Sequence, residues 1–541
     1  MTTVAKISKK DLDAIILMKP GLKGTRASTA VTHIMSHGSL QSFTHEAAVP
    51  EKIAGLERRH PKVMSNSRYK ASITSVIEKT QKAATYFFGR LNPDKSFSID
   101  SSLMSYLTLP GKGNGKMYDE GNEPSDLPVA ITFMGQFIDH DLTKNATNLV
   151  DDEKGKVQDV ASPYIDLDSV FGPRSDAKDS IPRYTRKGQF KLTKLDETNN
   201  AYDVPRDRHG MALIPDGRND ENQLILQVHI LVMRVHNLLI KEKGLTKAEA
   251  QRETIFNWQS VVLHSHQASV LDPVIFQQVL KDLEAELAKP GHGPVKYRPS
   301  RPGGPLKLPH EFAIGFRYGH SQLRDRYYVS KEQSFPLFDN LLPGPGYGDL
   351  RGNRALTPDR AIDWPFFITP DQPEKRSNLL DTLITSVVFD LPESAVPDVP
   401  TKFLGNLPQR NLIRSHEIHL TSGEGLFDIF FGARAKGKLT PEQIEPVKEK
   451  RGLFHMRPGV EFETPLWYYI LKEAELHGAP QQGGLRLGKL GSRLVGEVVA
   501  GGIYYNRNSY IHDTKWVSAI NGSRTVTIKD LVDFIHDKDA T

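Results

Sequence analysis

Cysteine is absent from all 541 residues. That excludes disulfides, thiolate metal centres, iron–sulfur clusters, a cysteine nucleophile and a haem ligated by sulfur. It fits a reducing compartment, and equally an exported bacterial protein built without cysteine. A long run of one charge is also missing. Lys and Arg (70) are interspersed with Asp and Glu (65), the formal net charge is only +5, and nothing points to nucleic acid. The amino terminus lacks an extended uncharged apolar run. Its short patch from Ala14 to Met18 lies between charges and suits neither a signal-peptide core nor a membrane anchor. A soluble protein with no transmembrane segment is expected, cytoplasmic or exported without a recognisable N-terminal signal peptide. Strand-like alternation is scarce as well, its best stretch being 189–195.

What the chain has instead is apolar periodicity of helical length, in a composition (38% hydrophobic, 25% charged) ordinary for a globular protein. The clearest segment is 222–243, with apolar residues at 224, 225, 228, 231, 232, 235, 238 and 239 and Gly244 placed to stop it. Further helices are expected near 10–18, 74–89, 127–142, 253–270, 272–288 and 465–477. Thr440-Pro441-Glu442-Gln443 combines an N-cap, a first-turn proline and a capping-box glutamine, so another helix starts there. The chain reads as mainly α. Pro/Gly-rich stretches at 109–124, 289–309 and 343–358 are either linkers between domains or loops within one.

The most unusual stretch is Gly135-Gln136-Phe137-Ile138-Asp139-His140-Asp141. A surface helix would not set Gln136, Asp139 and His140 among Ile131, Phe133, Met134, Phe137 and Ile138. Helical geometry stacks Gln136 and His140 one turn apart with Asp139 beside them, so an amide, an imidazole and a carboxylate enter an apolar interior together. Downstream, Ser162-Pro163-Tyr164-Ile165-Asp166-Leu167-Asp168-Ser169 alternates hard oxygen donors with backbone carbonyls, which suits Ca2+. It lacks the glycine and distal glutamate of an EF-hand, and such an Asp-x-Asp alone is commonly a turn or a helix cap. Asp216-Gly217-Arg218-Asn219-Asp220-Glu221 reads by itself as an acidic helix start. Phe316-Arg317-Tyr318-Gly319-His320 lies in an apolar segment, where a lone histidine is more often a hydrogen-bonded core residue than a ligand.

Taken in order, Gly-Gln-x-x-Asp-His-Asp, Ser-x-Tyr-x-Asp-x-Asp-Ser, Arg-x-x-Glu and Arg-Tyr-Gly-His resemble the motif set of the animal-type haem peroxidases (the peroxidase–cyclooxygenase superfamily). The missing cysteines suggest a bacterial-type version. Asn411-Leu412-Ile413-Arg414-Ser415 is similar to the family's Asn-x-x-Arg-Ser segment, and Trp364 also fits. The resemblance spans about residues 75–500. It implies a mainly α, single large helical domain with little β structure that holds haem b. His320 would be the proximal iron ligand and Asn411 would hold its other ring nitrogen, with Arg317 and Arg414 beside the cofactor. His140 would be the distal acid–base, Arg218 a fixed positive charge, and Gln136 the partner of distal water or a small anion. Asp139 and Glu221 match positions that form esters with haem methyl groups. Asp141, Ser162, the Tyr164 carbonyl, Asp166 and Asp168 would bind Ca2+.

The activity so implied is a peroxidase that reduces H2O2 through an oxoferryl intermediate and oxidises bromide, iodide, thiocyanate or a phenol. Asn222 stands where some mammalian members carry the methionine of a third haem link that accompanies chloride oxidation. At most two links are therefore expected, and efficient chloride oxidation is not. Arg317 stands where the fatty-acid dioxygenase branch has its radical tyrosine, three residues before the proximal histidine. Tyr318, two before, keeps lipid oxygenation as the alternative. A second alternative is a haem-binding protein without turnover, disfavoured because binding alone needs neither His140 nor Arg218. Since residues 140, 218, 320 and 411 must surround one haem, the Pro/Gly-rich stretches are read as loops. The division expected is an N-terminal extension (1–70), one catalytic domain (71–505) and a C-terminal segment packing on it (506–541). His229, His236, His264, His266, His416 and His419 read as packing or hydrogen-bonding residues. Gly111-x-Gly113-x-Gly115 reads as a flexible loop without the context of a phosphate cradle.

Overall fold

The computed structural model describes residues 86–99, 101–144, 158–159, 161–172, 184–196, 201–299, 306–339, 348–392, 405–445, 463–477 and 483–539. The helix expected near 10–18 and most of that expected over 74–89 lie outside these residues. The described end of the latter, Tyr86–Gly89, is a strand. It pairs in parallel with Leu306–Pro309 and antiparallel with Gln158–Asp159. Its aromatic run suits a pleated surface, and the partners that select the strand are distant in sequence.

Helices carry the fold: α1 (Ser101–Thr108), α2 (Val129–Leu142), α3 (Gln223–Lys243), α4 (Lys247–Val261), α5 (Pro273–Ala288), α6 (His310–Gly315), α7 (Leu407–Glu417), α8 (Gly423–Phe431), α9 (Leu466–His477), α10 (Lys489–Tyr504) and α11 (Ile528–Asp539). The central one is α3. Asn222 caps its start, Oδ1 accepting from Leu224 N at 3.1 Å and Ile225 N at 2.9 Å. Gly244 ends it in the left-handed conformation at φ 67°. Helices α2, α4 and α11 pack around α3. Among the described residues α3 is the one helix long and apolar enough to cross a membrane, but 78% of its most apolar stretch is buried inside the protein. It is a core helix.

Local signals account for the ends of several other elements. Thr246 and Glu249 form a capping box that opens α4. Beyond Val261, where the sequence suggests one continuous helix to 270, the chain widens into a π-helical turn over Val262–Gln267. That turn buries His266 and leaves His264 exposed. The Thr440 capping box forms as expected, although its helix stops after Pro441–Ile444. The C-terminal helix α11 buries Val532 and Ile535 in its packing with α3.

The Pro/Gly-rich stretch 109–124 is sewn into the same body. Tyr118–Asp119 pairs with Ile384–Thr385, and Pro124–Pro128, which continues it, pairs with Arg376–Asn378. Pro128 then leads into α2. These pairings fix where α2 enters the core.

Candidate active site

Of the 14 residues of α2, all are buried except Gly135, Gln136 and Asp139. Their spacing puts all three on one helical face. Gly135 is required there, because a Cβ at this position would sit 2.9 Å from His266 Nε2.

The turn Gly217–Asp220, just before α3, meets this face. His140 Nδ1 lies 2.9 Å from Asn219 Oδ1, and Nε2 is 3.6 Å from Glu221 Oε1. Gln136 donates through Nε2 to Glu221 and accepts at Oε1 from Asn222 Nδ2 at 3.1 Å. Its amide is thus held at both ends. Arg218 grips Asp216 through Nε (3.1 Å to Oδ1) and a terminal nitrogen (2.8 Å to Oδ2), and that nitrogen also donates to the His140 carbonyl at 2.9 Å. Lys144 sits 3.4 Å from Asp216.

The charges follow from these contacts. Burial, then Arg218, lowers the His140 pKa, against the opposing pull of Glu221, Asp216 and Asp139. The imidazole is neutral near pH 7. Burial opposes charge on Arg218, but Asp216, Asp139 and Glu221 raise its pKa above the usual value, so it stays a cation. Burial likewise disfavours the Asp216 carboxylate, and Arg218 and Lys144 outweigh it, holding its pKa below the usual range.

A second set of residues comes from the 3-10 turn Phe316–His320, which follows α6, and from α7. Asn411 Nδ2 is 2.8 Å from His320 Nδ1, while Arg317 donates to Asn411 Oδ1 at 2.8 Å. His320 faces Trp467 edge-on at 6.3 Å. Burial, then Arg317, drives the His320 pKa down to about 3. Glu221 opposes that shift and also supports the charge of Arg410. Glu221 therefore lies close enough to act on both His140 and His320. Gln136, Asp139, Arg218, Glu221, Arg317, His320 and Arg410 are all half-buried.

Arg410 is a residue the sequence motif did not single out. Burial, then Arg317, lowers its pKa to about 10, and burial also lowers that of Arg317, which Asp139 partly restores. Arg414, the arginine of the motif, lies one turn further along α7, where its charge acts on Glu417. Asn219, Asp216 and His229 were missed too. An Asp-x-Arg pair was the one available hint. Trp364 lies at the start of the short helix Trp364–Phe367, buried and edge-on to Phe367.

Behind α2, one carboxylate oxygen from each of Asp141, Asp166 and Asp168 lies within 4.8 Å of the others. Asp141 Oδ2 accepts from Asp166 N at 3.2 Å and Leu167 N at 3.0 Å, and Oδ1 from Ser169 Oγ at 3.3 Å. Asp168 Oδ2 accepts from Ser162 N at 3.1 Å, and Ser162 Oγ is 3.4 Å from the Tyr164 carbonyl. Leu167 takes a left-handed conformation (φ 57°) at the bend. Burial, then Asp166, pushes the Asp141 carboxyl up to about 8, and Asp168 rises for the same reasons. All five expected calcium ligands come together.

The remaining histidines match the plain reading in part. His236 Nε2 meets the Gly188 carbonyl at 3.1 Å, and His416 Nδ1 accepts from Ile99 N at 3.2 Å. His229 bonds to Asn219 at 3.0 Å and so touches the site.

With this geometry in view, the sequence profile of the animal haem peroxidase family matches residues 148–343. That stretch of the chain is similar to the animal haem peroxidase family. The similarity points to a haem-dependent oxidoreductase. The match takes in Arg218 and His320 and leaves the α2 motif and Asn411 outside it. Among solved structures, the chain resembles peroxidase A from Dictyostelium discoideum (14% identity, TM-score 0.50, 83% of this chain and 94% of that one). It also resembles fatty acid alpha-dioxygenases from Oryza sativa (13%, 0.53, 94% and 94%) and Arabidopsis thaliana (13%, 0.51, 95% and 94%). At such identities the likeness establishes a shared mainly helical fold. No curated protein matches the chain in sequence.

Proposed function

We propose that the chain is a haem peroxidase, with His140 and Arg218 as its distal pair and His320 as the iron ligand, in a catalytic unit spanning about 71–505. The observation that carries this reading is the position of Glu221, 3.6 Å from His140 Nε2 and acting electrostatically on His320 as well. The residues present suit haem. His320 Nδ1 lies 2.8 Å from the Asn411 side-chain amide; an iron bond through Nε2 requires that amide to turn its oxygen towards Nδ1–H, the reverse of the orientation that Arg317 holds here. Arg317 and Arg410, each disfavoured by burial and close enough to repel, suit the two haem carboxylates. Arg414, expected beside the cofactor, lies one turn further along α7. Asp139 and Glu221 are proposed as ester anchors. In that case acid–acetone extraction leaves the pigment on the protein.

Bound haem supplies a redox-active iron. Neutral His140 takes a proton from H2O2 at Nε2 and returns it to the leaving oxygen. Arg218, whose charge is secured by Asp216, offsets the negative charge that develops as the O–O bond breaks. Gln136, its amide held between Asn222 and Glu221, orients peroxide or a small anion. The donors proposed are bromide, iodide, thiocyanate and phenols. Asn222 is engaged as the cap of α3 and the anchor of Gln136, in the position where a methionine link would accompany chloride oxidation. A donor screen with H2O2 tests this order. The reading as a whole fails if the purified chain, supplied with haem, develops no Soret band.

A second reading, fatty-acid oxygenation, draws on Tyr318. This buried phenol lies two residues before His320, with its hydroxyl 3.4 Å from His266 Nε2. Oxygen uptake with linoleate and no added peroxide would put it first.

The cluster of Asp141, Ser162, Tyr164, Asp166 and Asp168 is proposed to hold Ca2+, tying the 162–169 loop to the back of α2. Removing the ion leaves close carboxylates whose ionisation is opposed. Because the Asp141 pKa is raised to about 8 when folded, the chelated protein binds more protons than its unfolded chain. Its stability is present at low pH and falls as pH rises towards that value. A chelator is therefore expected to lower Tm more at pH 8 to 9 than at pH 5 to 6, as differential scanning fluorimetry would show. An equal loss at both ends counts against a cation here.

A further inference from the structure

His140 Nε2 lies 3.6 Å from Glu221, and the group behind Nδ1 decides which nitrogen carries the ring proton. Asn219 Oδ1 lies 2.9 Å from Nδ1, and an amide oxygen can only accept. Nδ1 therefore holds the proton and Nε2 presents its lone pair. On its other side, Asn219 Nδ2 lies 3.0 Å from His229 Nδ1. That nitrogen accepts, so the proton of His229 sits on its own Nε2. All three side chains are buried, at 5% exposure for His140, 0% for Asn219 and 1% for His229. Phe137 closes over His229 edge-on at 6.1 Å and is itself backed by Trp258 at 5.2 Å.

Water is thus kept from the chain of contacts. Turning the Asn219 amide over would set donor against donor at His140 and acceptor against acceptor at His229. Only a simultaneous change of tautomer in both rings would relieve it, so the three groups are held as one unit. The backbone reinforces this, since Asn219 N donates to the Asp216 carbonyl at 3.1 Å. The same turn thereby carries the cation Arg218 and the acceptor Asn219, with Glu221 as its C-terminal flank.

We propose that Asn219 is a positioning residue that makes Nε2 of His140 the proton acceptor, and that His229 in turn orients Asn219. The inference rests on the peroxidase reading of His140 and names two residues that neither the motif set nor the family match singles out. A residue with a purely structural role would affect folding and haem content. This one affects proton transfer at His140.

Cyanide association with the ferric haem-loaded protein reads that transfer without turnover, because HCN must give its proton to a base before the anion is held. The wild-type protein, Asn219→Leu, Asn219→Asp and His229→Phe are compared for association rate, Soret absorbance per chain and Tm. Asn219→Leu is expected to slow association by about 10–100-fold at unchanged haem content. Asn219→Asp keeps an acceptor against Nδ1 and is expected to recover most of that loss, with His229→Phe in between. Equal rates in all four proteins overturn the proposal, as does an Asp variant no faster than the Leu variant. If Asn219→Leu fails to hold haem, His229→Phe decides, and an unchanged rate there overturns the relay. A wild-type protein that takes up no haem sinks the peroxidase reading instead, so the two failures are distinguishable.

Discussion

Replacing His140 with leucine is expected to slow the reaction of the haem-loaded protein with H2O2 by about 10²–10⁴-fold, the usual span for a general acid–base group. Haem content should not change, because the proposed iron ligand His320 and its partner Asn411 are left untouched. Stopped-flow mixing with H2O2 measures the rate and the Soret band checks the loading. A rate equal to wild type would assign the proton transfer elsewhere, with Glu221, 3.6 Å from Nε2, the first to consider. The pH profile carries a sign as well. A base must be neutral to accept, and burial and Arg218 lower the His140 pKa. The wild-type rate should therefore hold below the ordinary histidine value of about 6.5 and fall only at more acidic pH.

Arg218→Leu is the second large effect, and it strikes stability as well as rate. The variant leaves the Asp216 carboxylate buried without its main partner. Breaking a buried pair from one side costs about 3–5 kcal/mol, and Lys144, 3.4 Å away, softens that cost. Adding Asp216→Asn removes the stranded charge and should restore most of the Tm. It should leave the rate with H2O2 depressed by about 10²–10³-fold, the span for losing one stabilising donor at the reacting oxygen. Recovery of both would make Arg218 a structural residue. The wild-type pair also has a pH signature. The Asp216 pKa is lowered on folding, so its contribution is present above the ordinary aspartate value and lost as pH falls below it.

Much of the site is legible in the chain because its motifs are local. Gln136, Asp139 and His140 share a helix, and helical spacing alone groups them. Asn222 and Gly244 mark the ends of α3 by their capping chemistry, and the structure places both there. The 162–169 loop is compact enough for alternation to reveal its oxygen donors. Other features carry no such signal. Tyr86–Gly89 continues an apolar helical pattern and becomes a strand through partners at 158–159 and 306–309. The helix expected to run to 270 widens at Val262–Gln267, which turns His266 towards Gly135.

The arginines show the same division. The motif points to Arg414, and the packing of α7 against the His320 turn brings Arg410 into the field of His320 and Glu221 instead. Asn219 and His229 look like ordinary polar residues at a helix start and on a core helix. They acquire a role only because α3 packs against α2, which sets the amide behind His140. The sequence by itself determined which reactive groups exist and their spacing along each element, since those depend on backbone periodicity and side-chain chemistry. The tertiary structure alone decided which groups meet, because contacts between distant segments are set by packing and leave no local trace.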